Sequence, residues 1–171
     1  MPVWRLEDDC LAPERSLKIE YNGPNPFKIY SGLKTRLRKV FEVGAVNIWE
    51  RDFRWDTTSD PHGFYIRVYV NKGFDQHTKA LIEITMQGKQ PSDERKNGKI
   101  TIYLGGRLIT EYKLKTIFQR SPLYKGLRWL YHKIFYNKIR RSYLIICRER
   151  IERLWKELRE ELGMPLPKEV I

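Results

Sequence analysis

Alternating apolar and polar residues in the middle of the chain constrain its fold most strongly. Residues 64–71 give the clearest example, since Phe64, Ile66, Val68 and Val70 share one face of an extended backbone. A period of two residues is typical of a strand with one buried face. The pattern predicts further strands at residues 17–21, 46–56, 80–86, 100–104 and 107–114. We therefore expect an antiparallel sheet of about six strands.

Two of these segments carry local irregularities. In residues 46–56, Val46 and Ile48 face one way whereas Phe53 and Trp55 face the other. A β-bulge, or burial on both faces, would explain the slip. The pair at residues 105–106 is Gly-Gly, which predicts a two-residue hairpin between two strands.

Helical signals flank the strands. Asn25 and Pro26 are a good N-cap and first helical residue, and we predict one helix from there to Val43, ending before Gly44. Ser121 and Pro122 are a plausible N-cap and first residue of a second helix. After them, an apolar stripe recurs at helical spacing, and we expect it to pack on the sheet. The stripe contains Leu127, Leu130, Tyr131, Ile134 and Phe135. The pattern leaves open whether residues 122–162 form one helix or two.

The order strand, helix, about five antiparallel strands and a long C-terminal helix resembles the START-like helix-grip superfamily over residues 14–162. That family usually has a helix pair after its first strand, where one helix is predicted here. The resemblance implies an α+β fold in which a curved sheet wraps the C-terminal helix and can hold an apolar ligand. We expect an N-terminal extension (1–13), a sheet domain (14–114), a basic helical region (115–163) and a tail (164–171).

The net charge of +12 is concentrated in the predicted helices. Residues 28–39 contain five basic residues and no acid, and residues 115–159 contain thirteen basic residues against three acids. Ion pairs at a spacing of four residues can neutralise the end of the last helix, where all three acids lie. They cannot neutralise residues 115–148, which contain no acid. We therefore expect a polyanionic partner.

RNA is the polyanion we favour, because aromatic residues lie among the basic ones and could stack on unpaired bases. Tyr131 and Phe135 belong to the apolar stripe and are expected in the core, whereas Trp129, His132 and Tyr136 lie further from it. The predicted nucleic-acid-binding residues are Lys28, Lys34, Arg36, Arg38, Lys39, Lys125, Arg128, Trp129, His132, Lys133, Tyr136, Lys138, Arg140 and Arg141. A ribosomal particle is the large target we expect, with a role in translation or ribosome regulation.

No motif predicts catalysis, a metal or a cofactor. The groups Asp56, Asp60 and His62, and Asp75 with His77, could be acid–base sites, but Asp residues bonding their own turns explain them better. We expect a non-enzymatic protein.

The N-terminus lacks an apolar signal segment, so we expect a cytoplasmic protein. Cys10 and Cys147 are therefore expected as reduced thiols, with a disulfide as the alternative. Charged residues make up 32% of the chain, which is typical of thermophile proteins.

Three alternatives stay open at this point. A helix-grip fold could hold a small apolar ligand between sheet and helix. The basic amphipathic helices could bind an anionic membrane surface, although no apolar run is long enough to span one. An edge strand or the apolar stripe could also form a homodimer.

Overall fold

One long strand organises a six-stranded antiparallel sheet. The computed structural model describes residues 3–114 and 116–167. The strands are β1 (Val3–Asp9), β2 (Leu17–Pro24), β3 (Ile48–Asp56), β4 (His62–Gly73), β5 (Thr78–Gln90) and β6 (Asn97–Lys113). One edge of β6 pairs with β5, while its other edge pairs with β2 along the first half and with β1 along the second. β4 and β3 continue the sheet beyond β5.

Helices precede and follow the strands β3 to β6. They are α1 (Lys28–Ser31), α2 (Leu33–Phe41), α3 (Ile117–Arg120), α4 (Pro122–Tyr131) and α5 (Asn137–Glu161). A π-helical turn, His132–Tyr136, joins α4 to α5, and the residues at both junctions keep right-handed helical dihedrals. Residues 122–161 therefore form one continuous helical segment, and the predicted α+β fold class is confirmed.

The first predicted helix is divided at Gly32, so α1 and α2 replace the single helix expected from Pro26 to Val43. The predicted start at Ser121 is confirmed. Its hydroxyl accepts a hydrogen bond from the backbone N–H of Tyr124, and Pro122 is the first helical residue.

The core lies between one face of the sheet, α2 and α5. Strands β4 to β6 contribute Ile66, Ile82, Ile84, Ile102 and Leu104, α2 contributes Leu33, Leu37 and Val40, and α5 contributes Ile151, Leu154 and Leu158. The predicted bulge is confirmed, because the β3–β4 register shifts between Glu50 and Asp52. As a result Phe53 and Trp55 pair with the inward residues of β4.

The hairpin predicted at Gly105 and Gly106 is wrong. Both glycines lie inside β6, where they pair with Glu83 and Ile82 of β5. A Cβ on Gly106 would lie 2.7 Å from Cδ1 of Ile151 in α5. The missing side chain therefore makes room for the helix instead of allowing a turn.

Residues 3–9 belong to the sheet, so the expectation of a separate extension over residues 1–13 is wrong for that part. β1 has no fully buried residue, and its apolar alternation is limited to the half-buried Trp4 and Leu6, which is too short to stand out in the sequence. Its backbone pairs with β6, and the rings of Trp4 and Tyr112 stack with centroids 5.2 Å apart. Parts of the predicted extension, helical region and tail lie outside the described residues. These are residues 1, 2, 115 and 168–171.

Cys10 and Cys147 form a disulfide, so the expectation of reduced thiols is wrong. The bond joins the end of β1 to α5 across 137 residues of sequence, with a Cα–Cα distance of 5.8 Å. Both cysteines are buried, at 4% and 2% exposure. The pairing brings together two residues that no local sequence pattern relates.

Candidate nucleic-acid interface

The basic residues of the C-terminal helical segment fall into two groups with different surroundings. In the second half of α5, Arg148 pairs with Glu152 and Arg153 with Glu157, each at four-residue spacing. Arg150 donates to the backbone carbonyl of Val40 and pairs with Glu42. These cations are neutralised within the protein.

The other group lies on residues 117–141, which we call the helical arm. The arm comprises α3, α4, the π-helical turn and the start of α5, and it contains no acidic residue. The side chains of Arg120, Lys125, Lys138 and Arg141 are exposed. None of the four has an ion pair, hydrogen bond or ring contact with another residue in the described part of the chain. Their charge is therefore available to an external anion.

Two further predicted site residues on the arm lie over aromatic rings. The guanidinium of Arg128 lies 4.2 Å from the ring centroid of Tyr112, and one of its nitrogens donates to Tyr124 Oη at 2.6 Å. Lys133 Nζ lies 4.8 Å from the ring centroid of Trp129, which is half exposed. Trp129 and Lys133 thus form an exposed aromatic–cation pair on the arm.

His132 lies where the arm meets the sheet. Its ring contacts Trp4 and Tyr112, and Nδ1 lies 3.1 Å from the Tyr112 hydroxyl. Burial lowers the pKa of His132. The side chain therefore connects the arm to β1 and β6, and its ring is only partly open to solvent.

Tyr136 is buried beneath the arm, in a polar network with the sheet. Its hydroxyl donates to Asp75 Oδ2 at 2.7 Å and lies 2.5 Å from Thr78 Oγ1. Burial, together with the hydrogen bond to Asp75, raises the pKa of Tyr136. Burial alone would raise the pKa of Asp75, but hydrogen bonds from Tyr136 and from the backbone N–H groups of His77 and Thr78 lower it overall. The ring of Tyr136 faces the protein and not the solvent.

Arg140 is buried next to this network, at 6% exposure. Its Nε donates to Thr110 Oγ1 at 3.0 Å, and its guanidinium pairs with Asp8 of β1. Thr110 in turn bonds Thr78, 2.9 Å away. Tyr136 and Arg140 thus anchor the arm to the sheet. No sequence pattern predicts these partners, because they are isolated polar residues on three distant strands and one loop.

The predicted basic residues of α1 and α2 form a separate patch. Lys28, Lys34, Arg38 and Lys39 are exposed, whereas Arg36 pairs with Glu157 and Glu161 of α5. Glu161 and Arg141 are separated by 20 residues of α5, which corresponds to about 30 Å along the helix axis. The two predicted clusters therefore lie along different parts of α5, because α2 packs beside residues 150–161 whereas the arm ends at residue 141.

The apolar stripe of the arm does not pack on the sheet, so that expectation is wrong. Leu127, Leu130, Tyr131, Ile134 and Phe135 are 58%, 46%, 53%, 49% and 62% exposed. None of the side chains of α4 is buried. The helix contacts the sheet with Arg128, and the π-helical turn contacts it with His132 and Tyr136.

Asp56 and Asp75 bond the backbone of their own turns, whereas Asp60 Oδ1 accepts a hydrogen bond from the backbone N–H of Ser92 in the loop between β5 and β6. Asp56 Oδ1 accepts hydrogen bonds from the backbone and side chain of Thr58, and Asp75 Oδ1 accepts from the N–H groups of His77 and Thr78. Among residues 3–114 and 116–167, no group of three or more His, Cys, Asp or Glu side chains could hold a metal ion.

Two cavities bear on the small-ligand alternative. One, of about 550 Å³, lies between the arm and the loop after β4 and is bordered by Asp75, Tyr112 and Leu127. The other, of about 380 Å³, lies between α1–α2 and strands β3–β4 and is bordered by Tyr30 and Val68. Both cavities are open to solvent. The side chains that line them do not indicate a particular class of ligand.

Comparison with known proteins yields no match, either to a family model or to a curated protein. Within the described residues, no helix is long and apolar enough to cross a membrane.

Proposed function

We propose that this protein binds structured RNA through the cations of the helical arm, and that a ribosomal particle is its target. One observation supports the proposal above all others. The four exposed cations Arg120, Lys125, Lys138 and Arg141 have no partner within the described residues, whereas the basic residues further along α5 are paired.

Like charges on one helix repel each other. Phosphates relieve that repulsion, and each contact releases a counterion from the nucleic acid. Trp129 adds a half-exposed ring beside Lys133, which could stack on an unpaired base. The arm therefore combines the two kinds of contact that structured RNA with single-stranded loops would use.

The protein offers a matched control for this proposal. In the arm variant, Arg120, Lys125, Lys138 and Arg141 are replaced by glutamine. In the control variant, Lys28, Lys34, Arg38 and Lys39 of the α1–α2 patch are replaced by glutamine. Each variant removes four exposed cations from the net charge of +12, so the overall electrostatic attraction to RNA falls equally.

Binding to purified ribosomal particles is measured by co-sedimentation, and binding to a structured ribosomal RNA fragment by filter binding at several salt concentrations. We expect the arm variant to lose most of its affinity. The slope of log affinity against log salt should fall by about 3 to 4 for four lost phosphate contacts. The control variant should change far less. If wild-type protein fails to co-sediment at low salt, or if both variants lose affinity equally, the arm is not an RNA site.

Several expectations depend on this target and are proposed with it: a cytoplasmic location, a role in translation or ribosome regulation, and the absence of catalysis. Membership of the START-like superfamily and the binding of a small apolar ligand stay predictions from the sequence.

A further inference from the structure

The helical arm exposes an apolar surface that RNA binding does not explain. Apart from Trp129, nine large apolar side chains of the arm are exposed: Ile117, Phe118, Leu123, Leu127, Leu130, Tyr131, Ile134, Phe135 and Ile139. Monomeric proteins seldom expose a contiguous apolar patch of this extent, and such patches usually mark an interaction site. Aliphatic side chains also gain little from contact with charged, hydrated RNA.

Four of these side chains form a stripe along one side of the helix. Leu123, Leu127, Leu130 and Ile134 are spaced by four, three and four residues, as in the seam between two packed helices. Tyr131 and Phe135, whose ring centroids are 5.8 Å apart, border the stripe. We call these six residues the outward apolar face.

The name describes the direction of its central residues, whereas Leu127 and Tyr131 lie at its border and also line the cavity between the arm and the loop after β4. Arg128 and His132 contact Tyr112 of β6. Leu130 lies two residues from each of them, and two residues correspond to about 200° around a helix. Leu130 therefore points away from the sheet, and the described part of the chain leaves 46% of it exposed.

We propose that the outward apolar face pairs with the same face of a second copy of this chain, across a two-fold axis. A symmetric dimer needs one self-complementary patch, and an apolar helical stripe with seam spacing provides it. The six side chains are 46–69% exposed, so a dimer that covered them fully would remove at most roughly 700 Å² per copy from solvent, slightly less than the ~800 Å² that each partner contributes to a standard interface. Tyr136 and Arg140 hold the arm against the sheet, so the face is presented by a fixed helix.

The positive charge of the arm decides how this dimer should respond to salt. Lys138, four residues after Ile134, lies beside the outward apolar face, and the arm has no acid that could pair with it across the interface. The two copies therefore repel each other weakly, and salt screens that repulsion while leaving apolar burial intact. We expect the dimer to become tighter as salt rises. Adsorption to an anionic membrane would become weaker, because it depends on attraction between opposite charges.

Sedimentation velocity of the full chain, without RNA, at 0.1 and 0.5 M salt tests the proposal. We expect a species of twice the 20.6 kDa chain mass, with a dissociation constant that falls at the higher salt. The test variant carries Leu127→Gln and Leu130→Gln, two exposed positions whose replacement leaves the folded chain unstrained. Its dissociation constant should rise at least 100-fold. The control variant carries Val46→Gln and Leu166→Gln, which remove two exposed apolar residues elsewhere and should leave the dimer unchanged.

Circular dichroism checks that both variants remain folded. A wild-type chain that is monomeric at 100 µM in both salts overturns the proposal, as does a dimer that persists in the folded test variant. Flotation with vesicles of anionic lipid completes the design: a monomeric wild type that floats, and a test variant that does not, would assign the face to a membrane instead. These assays contain no RNA, and the proposed dimer does not depend on RNA binding, so either proposal can fail alone.

Discussion

Replacing Gly106 with alanine tests how α5 is seated on the sheet. Neither Gly106 nor its neighbour Gly105 has a positive φ, so alanine strains the backbone at neither position. The added Cβ at residue 106 would lie 2.7 Å from Cδ1 of Ile151 and 3.0 Å from Cδ1 of Ile82. Both isoleucines are fully buried, so neither can move away freely. At residue 105 the nearest atom, the carbonyl oxygen of Arg15, is 3.5 Å away, an ordinary contact.

These distances set the expected magnitudes. Overpacking a core by one methyl group costs about 1–3 kcal/mol, and replacing a strand glycine by alanine recovers about 0.5–1 kcal/mol. We therefore expect Gly106→Ala to lower the free energy of unfolding by about 1–2 kcal/mol. Gly105→Ala should leave it unchanged or raise it by up to about 1 kcal/mol.

Urea denaturation of the two variants at one pH measures the difference. A gap of about 2 kcal/mol corresponds to a midpoint shift of about 1 M for a typical denaturant dependence. If Gly106→Ala is as stable as Gly105→Ala, α5 does not pack against this point of β6. A large loss from both substitutions would instead indicate a tight turn at these glycines, as the sequence suggested.

Two further perturbations test the attachment of the arm and the disulfide. Tyr136→Phe removes the hydrogen bond to Asp75 and should lower the free energy of unfolding by about 1–2 kcal/mol at pH 7. Because the pKa of Asp75 is lowered in the folded protein, its contribution is present above about pH 4 and disappears as acid protonates it. The deficit of the variant should therefore shrink in acid titrations followed by circular dichroism, and a deficit that grows below pH 4 would contradict this reasoning. Replacing Cys10 and Cys147 by alanine opens a link across 137 residues, and chain-entropy arguments predict a loss of up to about 4–5 kcal/mol. Denaturation with and without reductant measures that loss, and alkylation of two free thiols in the native protein would show that the link is absent.

The sequence predicted the parts of the fold that depend on local periodicity. The alternation in residues 64–71 became β4, and the slip after Ile48 became a bulge in β3. Periodicity failed where a residue serves a distant partner. The sequence predicts a turn at Gly106. In the structure, glycine is needed there because Ile151 of α5, 45 residues later, occupies the space of a side chain. β1 carries only the short alternation of Trp4 and Leu6, because an edge strand is held largely by backbone pairing.

The sequence predicted the positive charge of the helical arm, but it did not predict which side of the arm faces the sheet. The absence of acids over residues 116–148 is visible in the sequence, and the free cations follow from it. An apolar stripe has the same spacing whether it faces a sheet or the solvent, so Leu127 and Leu130 were assigned to the wrong side. The residues that do face the sheet, Tyr136 and Arg140, are polar and buried through partners on β1, β5 and β6.

The π-helical turn at His132–Tyr136 sets the angle about the common helix axis between the side chains of α4 and those of α5. An α-helix advances about 100° per residue, and a π turn accommodates an additional residue without interrupting the helix. Deleting one residue from this turn would leave α5 seated by Ile151 and Leu154, yet rotate α4 by about 100° about the common axis. The direction in which α4 presents its charge and its leucines is therefore encoded by a residue count in this turn, which itself contributes Lys133, Ile134 and Phe135 to the two proposed surfaces.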